Sequence, residues 1–449
     1  MQKGNVKLAA VATVVIVIVL LFSWQYTAPE DDGPSSDFAD ALAGGDCSAA
    51  YDSLAPELRA EFDALGGLEY FEEYILNLNA SEEANYGTLV SIGDSYRPDA
   101  DGVSCTYMEY AYSGALLWTV ESDEGVVGFY ITPRDLPSDQ SLPDGIVEEA
   151  VQVGPDGMSK LDGLIASSED SDHSVAVVLV SGSGPNGMNC GTGHSWIFQQ
   201  LAWGLAEQGV DVLRYDDRTY SEPWTSLALG GSLDIDYETV DDAVAAAALL
   251  KSMGYERVYV VGHSLGAMMA PAIVEKSDGL YDGMVSLAGS PRSLAEISYD
   301  QNMLIVDQMP DGAEKDFMMQ YLEAELQLSR SLDGMTDGEL MSTTVFGMPA
   351  YYLKSIDDYD VASIAQNLEV PMLFLQGTFD WQVTYDSDYS LWMQILEGKE
   401  NVQSQAYVGL NHLFSIPGQY DGTSADYYLT PMTFNQSVID DIAEFVLSA

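Results

Sequence analysis

The pattern of apolar and polar residues separates the N-terminal segment from the rest of the chain. Residues 8–22 are apolar apart from Thr13, follow two lysines and precede Trp24 and Tyr26. This pattern predicts a signal or anchor transmembrane segment over residues 1–28. We expect an anchor that is not cleaved, because no small-residue cleavage site follows, with cleavage and secretion as the alternative. Both predict that the remaining chain lies outside the cytoplasm.

A small α+β domain is predicted over residues 37–133, after a polar linker at 29–36. Apolar residues recur at helical spacing between Phe38 and Phe62 and again over 68–78. Strand-like runs separated by Asp and Gly turns follow, at 106–112, 115–121 and 126–131. Helices followed by an antiparallel sheet are typical of the α+β class.

Beyond a second linker at 134–145, rich in Pro, Asp and Ser, strands alternate with helices over 146–449. The strands are apolar without alternation, which indicates a mostly parallel sheet with helices on both faces. An α/β fold is therefore expected for this domain. The predicted elements are strands at 175–180, 210–215, 258–261, 284–287 and 372–375, and helices at 195–208, 238–253 and 437–447.

The alternation is interrupted between about 299 and 368, where the sequence is helical, acid-rich and contains seven methionines. We interpret this segment as a helical lid, because it is inserted just after the strand that follows residues 258–261. The methionines either line an adaptable substrate pocket or pack inside the insertion. The sequence favours neither alternative.

The segment that ends the strand at 258–261 carries the most chemical information. It reads Gly262-His263-Ser264-Leu265-Gly266, and helical sequence follows. A serine between two glycines at a strand-to-helix turn is typical of a nucleophile elbow. We therefore expect Ser264 to attack an acyl carbon, with a glycine-rich turn without catalysis as the alternative.

A serine nucleophile needs a base and a carboxylate that orients the base. Of four histidines, only His412 follows the elbow, as the chain order serine, acid, histidine requires. Asp380 directly follows the strand at 372–375 and is the predicted acid, with Asp386 and Asp388 as alternatives.

The oxyanion of the tetrahedral intermediate needs backbone N–H donors. We expect them at Leu265, which begins the helix after the nucleophile, and at Ser183 in the glycine-rich stretch 181–187. A phosphate-binding loop is a poor alternative there, because no Gly-Lys-Ser/Thr follows.

The charged residues and cysteines of the chain limit which partners and cofactors are expected. With 71 acidic and 16 basic residues the net charge is −55, so we expect no nucleic-acid partner. The acidity reflects either a salty medium, in which stability should rise with salt, or a polyvalent cation or cationic wall component near the protein surface. The three cysteines lack metal-binding spacing, and no metal or other cofactor is expected. Cys47 and Cys105 either form a disulfide or remain separate thiols.

Six motifs in the same order span the domain from about residue 143, and together they resemble α/β-hydrolases of the esterase and dienelactone-hydrolase-like group. They are Ser181-Gly182-Ser183-Gly184-Pro185, Leu213-Arg214-Tyr215-Asp216-Asp217-Arg218, Gly262-His263-Ser264-Leu265-Gly266, Leu287-Ala288-Gly289, Gln376-Gly377-Thr378-Phe379-Asp380-Trp381-Gln382-Val383 and Gly409-Leu410-Asn411-His412-Leu413-Phe414. The resemblance implies Ser264 as nucleophile, Asp380 as acid and His412 as base. Ser181 stands where many relatives have histidine, which leaves the oxyanion donors open.

The N-terminal region at 37–133 is similar to an uncharacterised α+β domain that precedes such hydrolases in secreted proteins. Taken together, the sequence predicts an extracytoplasmic serine hydrolase. A carboxylesterase acting on a small-molecule ester or acyl substrate is expected, anchored to the membrane or secreted. An acyltransferase or peptidase with the same three residues is the alternative, and a non-catalytic surface-binding module is a third.

Overall fold

The protein was analysed as a computed structural model, which describes residues 34–96, 102–223, 229–416 and 430–448. The chain divides into two compact units between Leu136 and Pro137. The predicted anchor at 1–28 lies outside the described residues, as does most of the predicted linker at 29–36. Among the described helices, none is long and apolar enough to cross a membrane.

The first unit contains four helices followed by four strands. They are α1 (Pro34–Ala43), α2 (Cys47–Asp52), α3 (Pro56–Leu65), α4 (Leu68–Tyr86), β1 (Leu89–Tyr96), β2 (Val103–Tyr110), β3 (Gly114–Ser122) and β4 (Gly125–Arg134). The strands form an antiparallel sheet in chain order. Phe38 and Phe71 are fully buried and pack against Phe129 of the sheet. The helical sequence forms three separate helices before α4, because Gly45 has a φ of 71° and Pro56 begins a new helix.

The second unit is built on an eight-stranded sheet in the order β16-β15-β12-β11-β7-β10-β6-β5. Four further strands of two residues each form two separate pairs, β8 with β9 and β13 with β14. The described strands of this unit are β5 (Ile146–Val153), β6 (Leu161–Ser168), β7 (Val175–Val180), β8 (Gly191–Thr192), β9 (Ser195–Trp196), β10 (Asp211–Tyr215), β11 (Arg257–His263), β12 (Gly283–Leu287), β13 (Thr344–Val345), β14 (Met348–Pro349), β15 (Met372–Gly377) and β16 (Val402–Tyr407). Strand β6 runs antiparallel to both neighbours, and all other neighbouring pairs are parallel.

The centre of this sheet is buried on both faces. In β7, Ala176 and Val178 belong to one apolar core, and Val177 and Leu179 belong to the core on the other face. Burial of a valine or leucine side chain contributes roughly 1.5–3 kcal/mol. Two-sided burial explains why the predicted central strands are apolar without alternation.

Eleven α-helices are described in the second unit. They are α5 (Ile197–Ala206), α6 (Arg218–Ser221), α7 (Asp241–Met253), α8 (Leu265–Lys276), α9 (Leu294–Asp307), α10 (Ala313–Ser329), α11 (Asp337–Met341), α12 (Ala350–Asp357), α13 (Val361–Asn367), α14 (Ser390–Ile395) and α15 (Gln436–Ser448). Helices α9–α13 form the insertion between β12 and β15, and they begin a few residues before the predicted lid.

Candidate active site

Ser264 lies at the sharp turn between β11 and α8. Its backbone has φ 56° and ψ −114°, which is unusual for a residue with a side chain. Such strained angles persist only where the surrounding structure imposes them, and they are common at functional sites. The turn therefore has the geometry of the nucleophile elbow that the sequence predicts.

The glycines on either side of Ser264 are required by space. A Cβ on Gly262 would lie 2.2 Å from the carbonyl oxygen of Gly266. A Cβ on Gly266 would lie 2.4 Å from the carbonyl oxygens of both Val180 and Ser181. Both distances are far below van der Waals contact, so the spacing Gly-x-Ser-x-Gly follows from the close packing of this turn against the end of β7.

His412 and Asp380 are brought together, although 32 residues separate them. The Nδ1–H of His412 donates to Asp380 Oδ2 at 2.7 Å. Both side chains are almost completely buried. This hydrogen bond leaves His412 Nε2 as the basic nitrogen of the neutral ring.

Asp380 is held as an acceptor by three further donors. Its Oδ1 accepts from the backbone N–H groups of Gln382 and Val383 at 2.9 and 3.0 Å. Its Oδ2 also accepts from Gln376 Nε2 at 3.0 Å. Donors directed at both oxygens of a carboxylate fix its orientation.

The two alternative acids are placed differently. Asp386 is exposed. Asp388 is fully buried, but it accepts hydrogen bonds from Ser290 Oγ and from Arg292 Nε, at 2.6 and 2.8 Å. The structure therefore pairs His412 with Asp380.

Ser264 and His412 line one cavity of about 360 Å³. Among the described residues, Ser264 Oγ and His412 are not joined by a hydrogen bond. Such bonds are often long in ligand-free enzymes and tighten when the substrate binds. The predicted oxyanion residues Leu265 and Ser183 line the same cavity. Leu265 is the first residue of α8, where a helix has no internal partner for its N–H.

The loop that carries Ser183 is held by two residues that the sequence analysis did not assign. Asn186 Nδ2 donates to the carbonyl oxygens of Gly182 and Gly184 at 3.1 and 2.8 Å. Asp217 accepts from Asn186, through both N–H and Nδ2 at 3.1 Å, and from Ser181 Oγ. Burial raises the pKa of Asp217 well above its ordinary value. In the sequence, Asp217 is indicated only by its place in one of the motifs that carry the family resemblance.

His263, beside Ser264, supports the loop that carries His412. Its Nε2–H donates to the carbonyl oxygen of His412 at 2.9 Å. Burial, followed by the neighbouring His412, lowers the pKa of His263 to about 3. His263 is therefore neutral over the working range of a histidine base.

Apolar side chains and uncharged polar side chains line the cavity, together with His263 and His412. Among the described lining residues there is no Asp, Glu, Lys or Arg. Of the lid methionines only Met348 lines it, together with Met268 of α8. Most of the others pack inside the insertion or are exposed, so packing explains most of them. The lining residues are Gly182, Ser183, Asn186, Cys190, Thr192, His263, Ser264, Leu265, Met268, Ser290, Leu294, Ile297, Ser298, Gln301, Met348, Gln382, Val383, His412 and Leu413.

Within the described ranges, no group of three or more His, Cys, Asp or Glu side chains is placed to hold a metal ion. No disulfide joins Cys47 to Cys105, and the three cysteines are separate thiols. Cys190 lies in the wall of the cavity.

Comparison with known proteins agrees with the fold. Residues 177–410 match the model of the alpha/beta hydrolase family. Esterase EstD of Thermotoga maritima is 33% identical over 332 residues, which cover 74% of this chain and 76% of that protein.

Among solved structures, an esterase of Pyrococcus furiosus is similar at 14% identity, with a TM-score of 0.43 over 70% of this chain and 96% of that one. The proline iminopeptidase of Mycobacterium smegmatis is similar at 16% identity, with a TM-score of 0.43 over 67% and 98% of the two chains. The family resemblance and the mostly parallel sheet predicted from the sequence are confirmed. The chain belongs to the alpha/beta hydrolase family.

Proposed function

We propose that the protein is a serine carboxylesterase that acts through an acyl-serine intermediate. The observation that carries the proposal is that His412, hydrogen-bonded to the buried Asp380, lines the same cavity as Ser264, which lies at a strained turn. The name of the Thermotoga relative, esterase EstD, supports the same reaction. The neutral lining suits an uncharged ester beside the scissile bond.

The residues have complementary roles in this mechanism. Ser264 Oγ attacks the ester carbonyl carbon while His412 Nε2 takes the hydroxyl proton. Asp380 keeps the proton on Nδ1 and stabilises the imidazolium that forms. The N–H groups of Leu265 and Ser183 donate to the oxyanion.

Collapse of the tetrahedral intermediate breaks the bond to the alkoxy group, which takes the proton from His412 and leaves as the alcohol. Water then attacks the acyl-serine, again with His412 as base. The products are the carboxylic acid and the free Ser264 hydroxyl.

A fluorophosphonate probe and a panel of short and long acyl esters, thioesters and peptide amides test this proposal. The probe should label the wild-type protein, and esters should be hydrolysed, because Ser264 is activated by His412. Ser264→Ala should lose both. Ser252→Ala removes an exposed serine hydroxyl that bonds only within its own helix, and should retain both. Turnover of amides alone, or wild-type ester turnover in Ser264→Ala, would contradict the proposal.

We also propose that the catalytic unit lies outside the cytoplasm. The apolar segment at 8–22 with its preceding lysines and following Trp24 supports an anchor, and a net charge of −55 suits a salt-rich exterior. In intact cells, external protease should cleave the chain, and a chain without residues 1–28 should leave the washed membrane fraction. A full-length chain that is protected from external protease contradicts this location.

A further inference from the structure

Lid helix α9 contributes one face to the wall of the cavity. Leu294, Ile297, Ser298 and Gln301 line the cavity at spacings of three and four residues, which is one face of a helix. Gln301 differs from the other three because its side chain bonds outside its own helix. Its Nε2 donates to the carbonyl oxygen of Gln382 at 3.1 Å.

That carbonyl belongs to the peptide group whose N–H, on Val383, donates to Asp380 Oδ1 at 3.0 Å. The peptide group is planar, so a contact that fixes its oxygen also fixes the direction of its N–H. Donation to the oxygen also polarises the group and strengthens the N–H as a donor. This rigid peptide group thus connects Gln301 to the carboxylate of Asp380, which in turn orients His412.

The position of α9 next to this loop is itself fixed. Arg292 Nη1 donates to Asp300 of α9 at 2.6 Å, and Arg292 Nε donates to the fully buried Asp388 at 2.8 Å. Asp388 accepts from the backbone N–H of Thr384, immediately after Val383, at 2.6 Å. Asp300 is therefore connected to this loop through Arg292 and Asp388. The next residue of α9, Gln301, bonds the loop directly and is held where that bond can form.

We propose that Gln301 is a positioning residue of the lid, which acts through the Gln382–Val383 peptide group to orient Asp380 and hence His412. The inference rests on the proposed esterase function. It assigns two roles to one face of α9: the apolar side chains contact the substrate, and Gln301 makes the catalytic carboxylate depend on the lid.

Gln301→Met tests the proposal, because methionine has a similar length and fills the wall but donates no hydrogen bond. On an ester that the wild type hydrolyses, kcat should fall by roughly three- to tenfold, because one hydrogen bond that keeps Asp380 oriented toward His412 is lost. KM should stay within about twofold of the wild-type value. Glutamate has the same shape as glutamine but, when ionised, donates no hydrogen bond. Gln301→Glu should therefore lower kcat in the same way. It serves as the second variant if Gln301→Met does not fold.

Gln366→Met is the matched control. Gln366 Nε2 also donates to a backbone carbonyl, that of Ile395, at 3.0 Å, but on the exposed surface. Its kcat and KM should equal those of the wild type.

Unchanged kcat in both Gln301 variants would overturn the positioning role, as would a raised KM with unchanged kcat, which indicates a wall residue only. An equal loss of kcat in Gln366→Met would also overturn it, because the effect would then be general. If the wild type hydrolyses no ester, the proposed function fails first and this inference fails with it.

Discussion

Replacing Gly266 by alanine should disrupt the elbow without removing any of the proposed catalytic side chains. The new Cβ would lie 2.4 Å from the carbonyl oxygens of Val180 and Ser181, whereas ordinary contacts begin at 3.4 Å. The difference, 3.4 − 2.4 Å, means that α8 and the end of β7 must separate by about 1 Å. That displacement moves Ser264 and the Leu265 N–H away from the loop that carries Ser183.

A misplacement of about 1 Å in an active site lowers the rate by about 100-fold. We therefore expect kcat/KM of Gly266→Ala to fall by about 100-fold, together with a loss of about 1–3 kcal/mol in the free energy of unfolding from overpacking. Ester hydrolysis and denaturant unfolding measure the two effects.

Gly338→Ala is the control for this substitution. Gly338 is exposed in helix α11, and a Cβ there would meet no atom within 4 Å. Alanine should leave activity unchanged and stability equal or slightly higher. A Gly266→Ala protein with wild-type kcat/KM would refute the close packing on which the elbow geometry depends.

Three further predictions concern stability. Arg292→Met should lower the free energy of unfolding by about 3 kcal/mol in denaturant titrations, because it leaves the carboxylate of Asp388 buried without its cation. Arg330→Met, which removes only an exposed ion pair with Glu296, should change it by less than about 1 kcal/mol, and equal effects would contradict the argument. Since the pKa of His263 falls from 6.5 to about 3 on folding, its contribution to stability is present above pH 6.5 and lost as pH falls toward 3. Between pH 7 and pH 5, the free energy of unfolding should therefore fall by about 2 kcal/mol more in the wild type than in His263→Asn. Parallel pH profiles of the two proteins would count against a neutral buried ring. Finally, screening of a net charge of −55 should raise the melting temperature as KCl increases, and a fall would exclude adaptation to salt.

The sequence predicts the centre of the sheet well and its edge poorly. Strands such as β7 and β11 are buried on both faces, so their apolar runs are unbroken. The sequence analysis assigned neither β5 nor β6, which begin the catalytic unit. Strand β5 lies at the edge of the sheet, carries Glu148 and Glu149, and buries only its ends. These glutamates interrupt the apolar run, so the edge strand lacks the pattern that identifies the central strands.

The predicted site residues and the supporting ones differ in how local their signals are. Ser264 is indicated by glycines at fixed spacing, and His412 by its position as the sole downstream histidine. Asp217 and Gln301 act on residues 31 and 81 positions away, through loops whose paths no periodicity records. Ordinary polar residues in such positions acquire a role only when the fold brings their partners to them.

The central claim is that Ser264 carries the acyl group during turnover. The most direct test is to mix the protein with an activated ester, quench in acid during the first turnover, and locate the added mass by peptide mass spectrometry. The account predicts an increase equal to the acyl group on the peptide that contains Ser264, absent from Ser264→Ala. It also predicts that the adduct forms far more slowly in His412→Ala, because the base is lost. An acyl group on another residue, or turnover by Ser264→Ala at the wild-type rate, would contradict the account.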